Sequence, residues 1–196
     1  KPIVRRLARR LLPFGWGNIS KLALAYFFST LYFYAPVGTL YLQGRGLSLM
    51  QINSIWSIIV ATMFLSEIPT GLIADRIGHK WAIVLALALQ ALGEVIYLFA
   101  QAYWVFVLDA IVAGLGFAFG SGCVTALVHD SLQSSGREGE MSKALGIIEA
   151  AQRLANLLAY SVGGIPAARP TTARFTLAIA VTASAVIVGC IVALTL

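Results

Sequence analysis

Apolar residues run in six long stretches separated by short polar segments. They lie at Leu22–Leu42, Ile52–Ile73, Trp81–Ala102, Trp104–Val128, Ala144–Ile165 and Phe175–Leu196. None shows the two-residue alternation of a half-buried strand. Each is near the roughly 20 residues that a helix needs to cross a bilayer core. The pattern therefore predicts an all-α membrane protein with six transmembrane helices, preceded by a basic segment over residues 1–21. Two helix breakers modulate it. Pro36 and Gly38 are expected to bend the first span in its second half, and Pro69 and Gly71 to bend the second near its end.

Composition agrees with lipid as the solvent. Of 196 residues, 59% are hydrophobic and 11% charged, with a mean hydropathy of +0.86. A soluble domain carries roughly a quarter charged residues. The net charge of +6 does not indicate nucleic acid, because its lysines and arginines sit between the apolar runs rather than along one face. Cys123 and Cys190 each lie inside an apolar run and read as small buried hydrophobes. Arg5, Arg6, Arg9 and Arg10 precede the first run, but that run is too long for a signal peptide and no soluble domain follows it. Lys1 and Leu196 give the chain the look of a piece cut at both ends.

The placement of the cations sets an orientation. With the N terminus in the cytoplasm, ten fall inside (Lys1, Arg5, Arg6, Arg9, Arg10, Lys21, Arg76, Lys80, Arg137, Lys143) and three outside (Arg45, Arg169, Arg174). The positive-inside rule then puts both ends in the cytoplasm. The segment His129–Lys143 becomes the one long internal loop, expected to be mobile or partly helical. Gly114, Gly116, Ala118, Gly120 and Gly122 bring small residues four apart along the fourth span, a pattern that lets helix backbones approach closely in lipid.

Between the second and third spans stands Gly71-Leu-Ile-Ala-Asp75-Arg76-Ile-Gly78-His79-Lys80. This resembles the signature loop of the major facilitator superfamily (MFS), with Gly71, Asp75, Arg76, Gly78 and Lys80 in register. Phe64-Leu-Ser-Glu67-Ile-Pro69-Thr70 resembles the approach to that loop in bacterial drug-efflux-like members. The resemblance implies the N-terminal half of a twelve-helix transporter, built as a 3+3 repeat in the inner or plasma membrane. It also implies that the loop latches the two halves on the cytoplasmic side. By their chemistry alone, Gly71 and Gly78 suit close packing and a sharp turn, Asp75 suits a neighbouring helix N terminus, and Arg76 and Lys80 suit carboxylates or lipid phosphate. A plain basic turn obeying the positive-inside rule would need only the charges.

Three departures from the family pattern stand out. His79 takes the place of a second arginine, which in the family pairs with an acid at the inner end of helix four, here Asp130; a histidine contact would depend on pH near neutrality. Ala110 holds the place of an arginine tied to proton coupling. Tyr160 holds the place of the proline of the helix-five antiporter pattern, of which Ala155, Ala159, Gly163 and Gly164 remain.

Charges within the spans are costly, about 2.5–3.5 kcal/mol each on insertion scales, and so mark candidate functional groups. Glu94 in the third span and Asp109 in the fourth fall at similar depth in the outer half, where they can share a proton or one water-filled pocket. The family fold implies that Asp109 faces the cavity and leaves Glu94 to packing or coupling. Asp109 also suits an interfacial site. Glu149 and Arg153 are spaced to pair along the fifth span, and Arg153 is a further candidate for an anionic substrate. Tyr32 and Tyr34 lie too deep for an interfacial belt and suit either substrate stacking or helix packing.

The expected function is secondary transport of a small amphipathic molecule by alternating access, efflux favoured, with this chain as one half. A proton is the candidate coupling ion, and the missing C-terminal half or a partner chain completes the pathway. Two alternatives are a six-helix membrane scaffold or sensor that transports nothing, and a split half-transporter that needs a partner chain. Gly120-Ser121-Gly122 superficially resembles an intramembrane serine site, but no histidine base lies in the apolar interior. Neither a phosphate-binding loop nor a metal-ligand cluster is present in the sequence, so neither an enzymatic activity nor a cofactor or metal is expected.

Overall fold

The computed structural model of the chain describes residues 16–163 and 172–196. The arginines at positions 5, 6, 9, 10 and 169, and Gly164, lie outside them. Eight α-helices are described: α1 Trp16–Ser29, α2 Gly38–Gly44, α3 Leu49–Ile77, α4 His79–Phe99, α5 Tyr103–Gly120, α6 Cys123–Gln133, α7 Met141–Gly163 and α8 Thr172–Leu194. Short 3-10 turns cover Ala35–Val37 and Glu138–Glu140. Among the described residues, four stretches are long and apolar enough to cross a membrane: Leu49–Ile77, His79–Phe99, Tyr103–Gln133 and Ala173–Leu194.

The first expected span is not one bent helix. It stops at Ser29, turns through Thr30–Tyr34 and resumes as α2. Pro36 lacks the N–H that would bond to Tyr32, which penalises a continuous helix there, whereas in the first turn of a new element it costs nothing. Pro36 occupies such a first-turn place in the turn Ala35–Val37. The hydroxyls of Ser29 and Thr30 bond back to the Tyr26 carbonyl at 3.2 and 2.6 Å, satisfying the end of α1. The fourth expected span is also interrupted. Ser121 closes α5, and Gly122, at φ +74°, opens α6 in a conformation that favours glycine.

Other boundaries move less. A Ser48–Gln51 capping box starts α3, with Gln51 N–H donating to Ser48 Oγ and Ser48 N–H to Gln51 Oε1. α3 runs through Pro69 and Gly71 to Ile77, so Gly71 is helical and not part of the turn. The turn itself is one residue, Gly78 at φ +89°. The long loop expected at 129–143 shrinks, because α6 continues to Gln133 and α7 begins at Met141. The expected fifth span is helical as α7, but Lys143, Glu149 and Arg153 keep it less apolar than the four stretches above.

Contacts follow a swap rule. α1 packs on α7 and α8; α5 packs on α3 and α4; α4 and α8 pack on each other. Small residues set the close approaches. A side chain at Gly114 would meet the Ile59 carbonyl of α3 at 2.8 Å, and one at Gly116 the Ala86 carbonyl of α4 at 3.0 Å. Gly189 of α8 likewise lies against the Ala25 carbonyl of α1. Close backbone approach maximises dispersion contacts, which drive helix association where no hydrophobic force acts between helices.

Two apolar clusters mark the ends of the bundle. One gathers Ile19, Ala74, Ala82, Val128, Ala144 and Ala193; the other gathers Leu42, Leu47, Tyr97, Ala100, Phe106 and Phe175. Successive helices therefore run up and down. Lys21, Arg76, Lys80, Arg137 and Lys143 belong to elements that meet at the first end, and Arg45 and Arg174 to elements that meet at the second. Large apolar side chains cover the outside, including Met50, Phe64, Ile68 and Phe99. Such a surface is unsuited to water and matches lipid.

Candidate functional site

A cavity of about 250 Å³ opens beside the break in the first span. Tyr32, Tyr34, Ala35 and Gly38 supply one wall from the break and the start of α2. α3 contributes Ile55, Trp56 and Ile59, α5 contributes Asp109, Ala113 and Phe117, and α7 contributes Tyr160. From α4 come Gln90, Glu94 and Tyr97, at i, i+4 and i+7, which places them along one helical stripe.

Glu94 is buried, and its Oε1 accepts a hydrogen bond from Tyr34 Oη at 3.0 Å. Its Oε2 is buried with no partner among the described residues, as are Tyr41 Oη and Arg45 Nε toward the second end. Asp109 is buried too, and its Oδ1 packs where a side chain at Gly93 would come within 3.0 Å. Glycine at position 93 thus makes room for the Asp109 carboxylate. The two acids were expected at similar depth, able to share one pocket, with the family fold favouring Asp109 toward the cavity and Glu94 in packing or coupling. They line the same cavity, and Glu94 is the one with a hydrogen bond from a cavity tyrosine.

Aromatic packing fixes these groups. Tyr34 stacks on Tyr97 at 4.9 Å, and Tyr97 meets Phe106 edge-on at 5.3 Å. Tyr32 lies edge-on to Tyr34 at 6.2 Å. The break is braced from α8 and α7. Phe33 N–H donates to Thr182 Oγ1 at 3.1 Å, while Gly163 lies so close to the Phe33 carbonyl that any side chain there would collide with it. A second cavity, about 280 Å³, shares Tyr32, Gln90 and Phe117 with the first and continues along α1 past Thr30, Ser29 and Tyr26 to Gln152. Polar lining thus extends from the acids toward the first end of the bundle.

The other candidate residues lie apart from this cavity. Arg153 pairs with Glu149 at 3.4 Å on an exposed face of α7 and does not line it. Asp75 and Arg76 are exposed on the last turn of α3, and Lys80 lies over the Trp81 ring at 5.5 Å. The acid that reaches the start of α6 is Glu67, which accepts from Ser121 Oγ at 3.2 Å. His79 Nδ1 meets Asp130 Oδ2 at 3.0 Å, joining the turn after α3 to α6, and His129 approaches the other oxygen of Asp130 at 3.6 Å. Among the described residues, no three His, Cys, Asp or Glu side chains are grouped to hold a metal.

Gln90, Tyr97, Trp56 and Gly93 were not singled out from the sequence. The first two were legible as polar side chains in helical register with Glu94. Trp56 and Gly93 carried no local signal, because their roles arise from packing against other spans.

The family model of the Major Facilitator Superfamily matches residues 22–196. The chain is also 31% identical over 159 residues to the inner membrane transport protein YajR of Escherichia coli (strain K12), an alignment that covers 80% of this chain and 32% of that protein. The chain thus spans about a third of the length of that curated relative.

Proposed function

The chain belongs to the Major Facilitator Superfamily, and from that premise we propose that it forms the N-terminal half of a secondary transporter that moves a small amphipathic molecule by alternating access. The observation that carries this reading is the cavity beside the broken first span, where Glu94, Asp109, Tyr32 and Tyr34 converge from three different spans. Sites of this kind, built where helices are discontinuous, suit binding near the bilayer midplane.

Six crossings make up the half, with α1 and α2 as the first, α5 and α6 as the fourth, and α7 as the fifth. The swap rule in the contacts supports a 3+3 repeat. Exchanging spans one, two and three with four, five and six carries the pairs 1–5, 1–6 and 3–6 onto 4–2, 4–3 and 6–3. The first end, which gathers Lys21, Arg76, Lys80, Arg137 and Lys143, faces the cytoplasm of an inner-membrane protein. His79 and Asp130 brace that end as part of the latch, with Gly78 allowing its sharp turn, Gly71 leaving the end of α3 open to close approach, and Arg76 and Lys80 facing lipid phosphate or the other half. Glu94 and Asp109 are positioned to carry a coupling proton, since both line the cavity in an apolar bundle. Export is the favoured direction, in line with the drug-efflux-like approach to the loop.

Reconstitution tests the reading. Proteoliposomes would contain the chain together with the remainder of its reading frame. They would be loaded with three dansyl probes that differ only in charge: a sulfonate, an uncharged amide and a quaternary ammonium. The expected result is flux of at least one probe above protein-free vesicles. If all three move no faster than through bare lipid, the transport reading is wrong.

A further inference from the structure

The cavity carries information about the charge of what it holds. Glu94 and Asp109 are 7% and 8% exposed, and both line it. Among the described residues no lysine, arginine or histidine does so. Neither Arg45 nor Arg174, the described cations toward the second end, is a lining residue, and Arg45 lies over the Tyr41 ring at 5.2 Å. Arg153 does not line it and pairs with Glu149. Among the described residues Glu94 Oε2 is buried without a partner, and the Tyr34 hydroxyl bonds only Oε1. Carboxyl groups at such depth are costly unless something polar meets them.

The remaining wall points the same way. Aromatic residues, Tyr32, Tyr34, Trp56, Tyr97 and Phe117 among them, line a space whose other walls are aliphatic apart from the two acids and neutral Thr39 and Gln90. Ring faces carry negative quadrupole charge and attract cations, an effect strongest where water is scarce. An anionic ligand would meet two acids, with no lysine, arginine or histidine among the described lining residues to compensate them. A small inorganic cation would leave most of this apolar wall uncovered.

We propose that the cavity binds an organic cation, an amine or quaternary ammonium on an apolar body, with Asp109 and Glu94 as counter-charges and the tyrosine and tryptophan rings as its cage. This deepens the transport reading by naming the substrate class of the same cavity, but its test measures binding and not flux. The probes are benzyltrimethylammonium and benzylsulfonate, which share a ring, a methylene and a tetrahedral head and differ in the sign of its charge. Isothermal titration is performed on the full-length protein in lipid nanodiscs.

The ammonium is expected to bind at least about tenfold more tightly than the sulfonate, the scale of one desolvated cation–π contact. Asp109→Asn is expected to weaken the ammonium by a similar factor, through loss of a nearby opposite charge. Absence of ammonium binding overturns the assignment. So does equal affinity for the two ions, or unchanged ammonium affinity in a folded Asp109→Asn protein. Should that variant not fold, the comparison of the two ions on the unmutated protein decides alone. Flux of the dansyl sulfonate without ammonium binding would sink this assignment and leave the transport reading standing. Charge-selective binding with no flux of any probe would do the reverse.

Discussion

The Tyr34 hydroxyl donates to Glu94 Oε1 at 3.0 Å, and the ring that carries it is held by stacking on Tyr97 at 4.9 Å. One side chain therefore both positions the acid and satisfies half of it. Tyr34→Phe keeps the stacking and removes the donor, leaving both oxygens of a buried carboxyl without a described partner. The expected cost is about 1–3 kcal/mol, read as a lower thermal midpoint of the detergent-solubilised protein. An unchanged midpoint would mean that the hydrogen bond contributes nothing to the fold. At this scale much was legible in the sequence. Glu94 and Asp109 stand out as charges in apolar runs, and Tyr32 and Tyr34 as tyrosines too deep for a belt. What was not legible is their company. Gly93 admits the Asp109 carboxylate only because α4 and α5 are pressed together, which no local pattern announces.

Among the elements, the broken first span matters most to the site. Pro36 penalises a continuous helix, but, as Pro69 inside α3 shows, a proline does not by itself decide whether or where the chain turns. That is set by α8 and α7, whose Thr182 accepts the Phe33 N–H and whose Gly163 admits the Phe33 carbonyl. Thr182 is fully buried, and its own hydroxyl donates to the Ala178 carbonyl at 3.0 Å. Thr182→Val keeps the shape and leaves the Phe33 N–H only the Leu31 carbonyl at 3.2 Å, for an expected loss of about 1 kcal/mol, while Thr182→Ser retains the hydroxyl and most of the stability. Chemical denaturation of the two variants in mixed micelles distinguishes them. Equal stability for valine and serine would show that another group caps Phe33. The same logic explains the interrupted fourth span. Gly120-Ser121-Gly122 is a helix break with Ser121 bonded to Glu67, and the hydroxyl is engaged there rather than poised as a nucleophile.

For the whole molecule, charge and connectivity combine. Lys80 belongs to the end that gathers Lys21, Arg76, Arg137 and Lys143, and Gln43 is exposed at the opposite one. In intact cells, a Lys80→Cys protein is expected to resist a membrane-impermeant maleimide until the membrane is opened, whereas Gln43→Cys reacts from outside. The reverse pattern would invert the topology and place the His79–Asp130 contact on the wrong side for a cytoplasmic latch. Both native cysteines sit within the bundle, Cys123 buried and Cys190 half-buried, which keeps the background low.

Hydropathy settled the class of protein, because lipid tolerates no exposed backbone and an apolar run of that length must be a helix. Local chemistry also sufficed for the family, since the loop from Gly71 to Lys80 needs its glycines and charges in register whatever surrounds it. Tertiary structure decided where the first and fourth spans break, that Glu94 shares a cavity with Asp109, and that Arg153 does not. Those outcomes depend on which helices touch, and helix contacts in a bilayer are fixed by the fit of small residues across chain-distant spans. A linear pattern records each residue's own preference for lipid or water. It does not record which neighbour will be there to meet it.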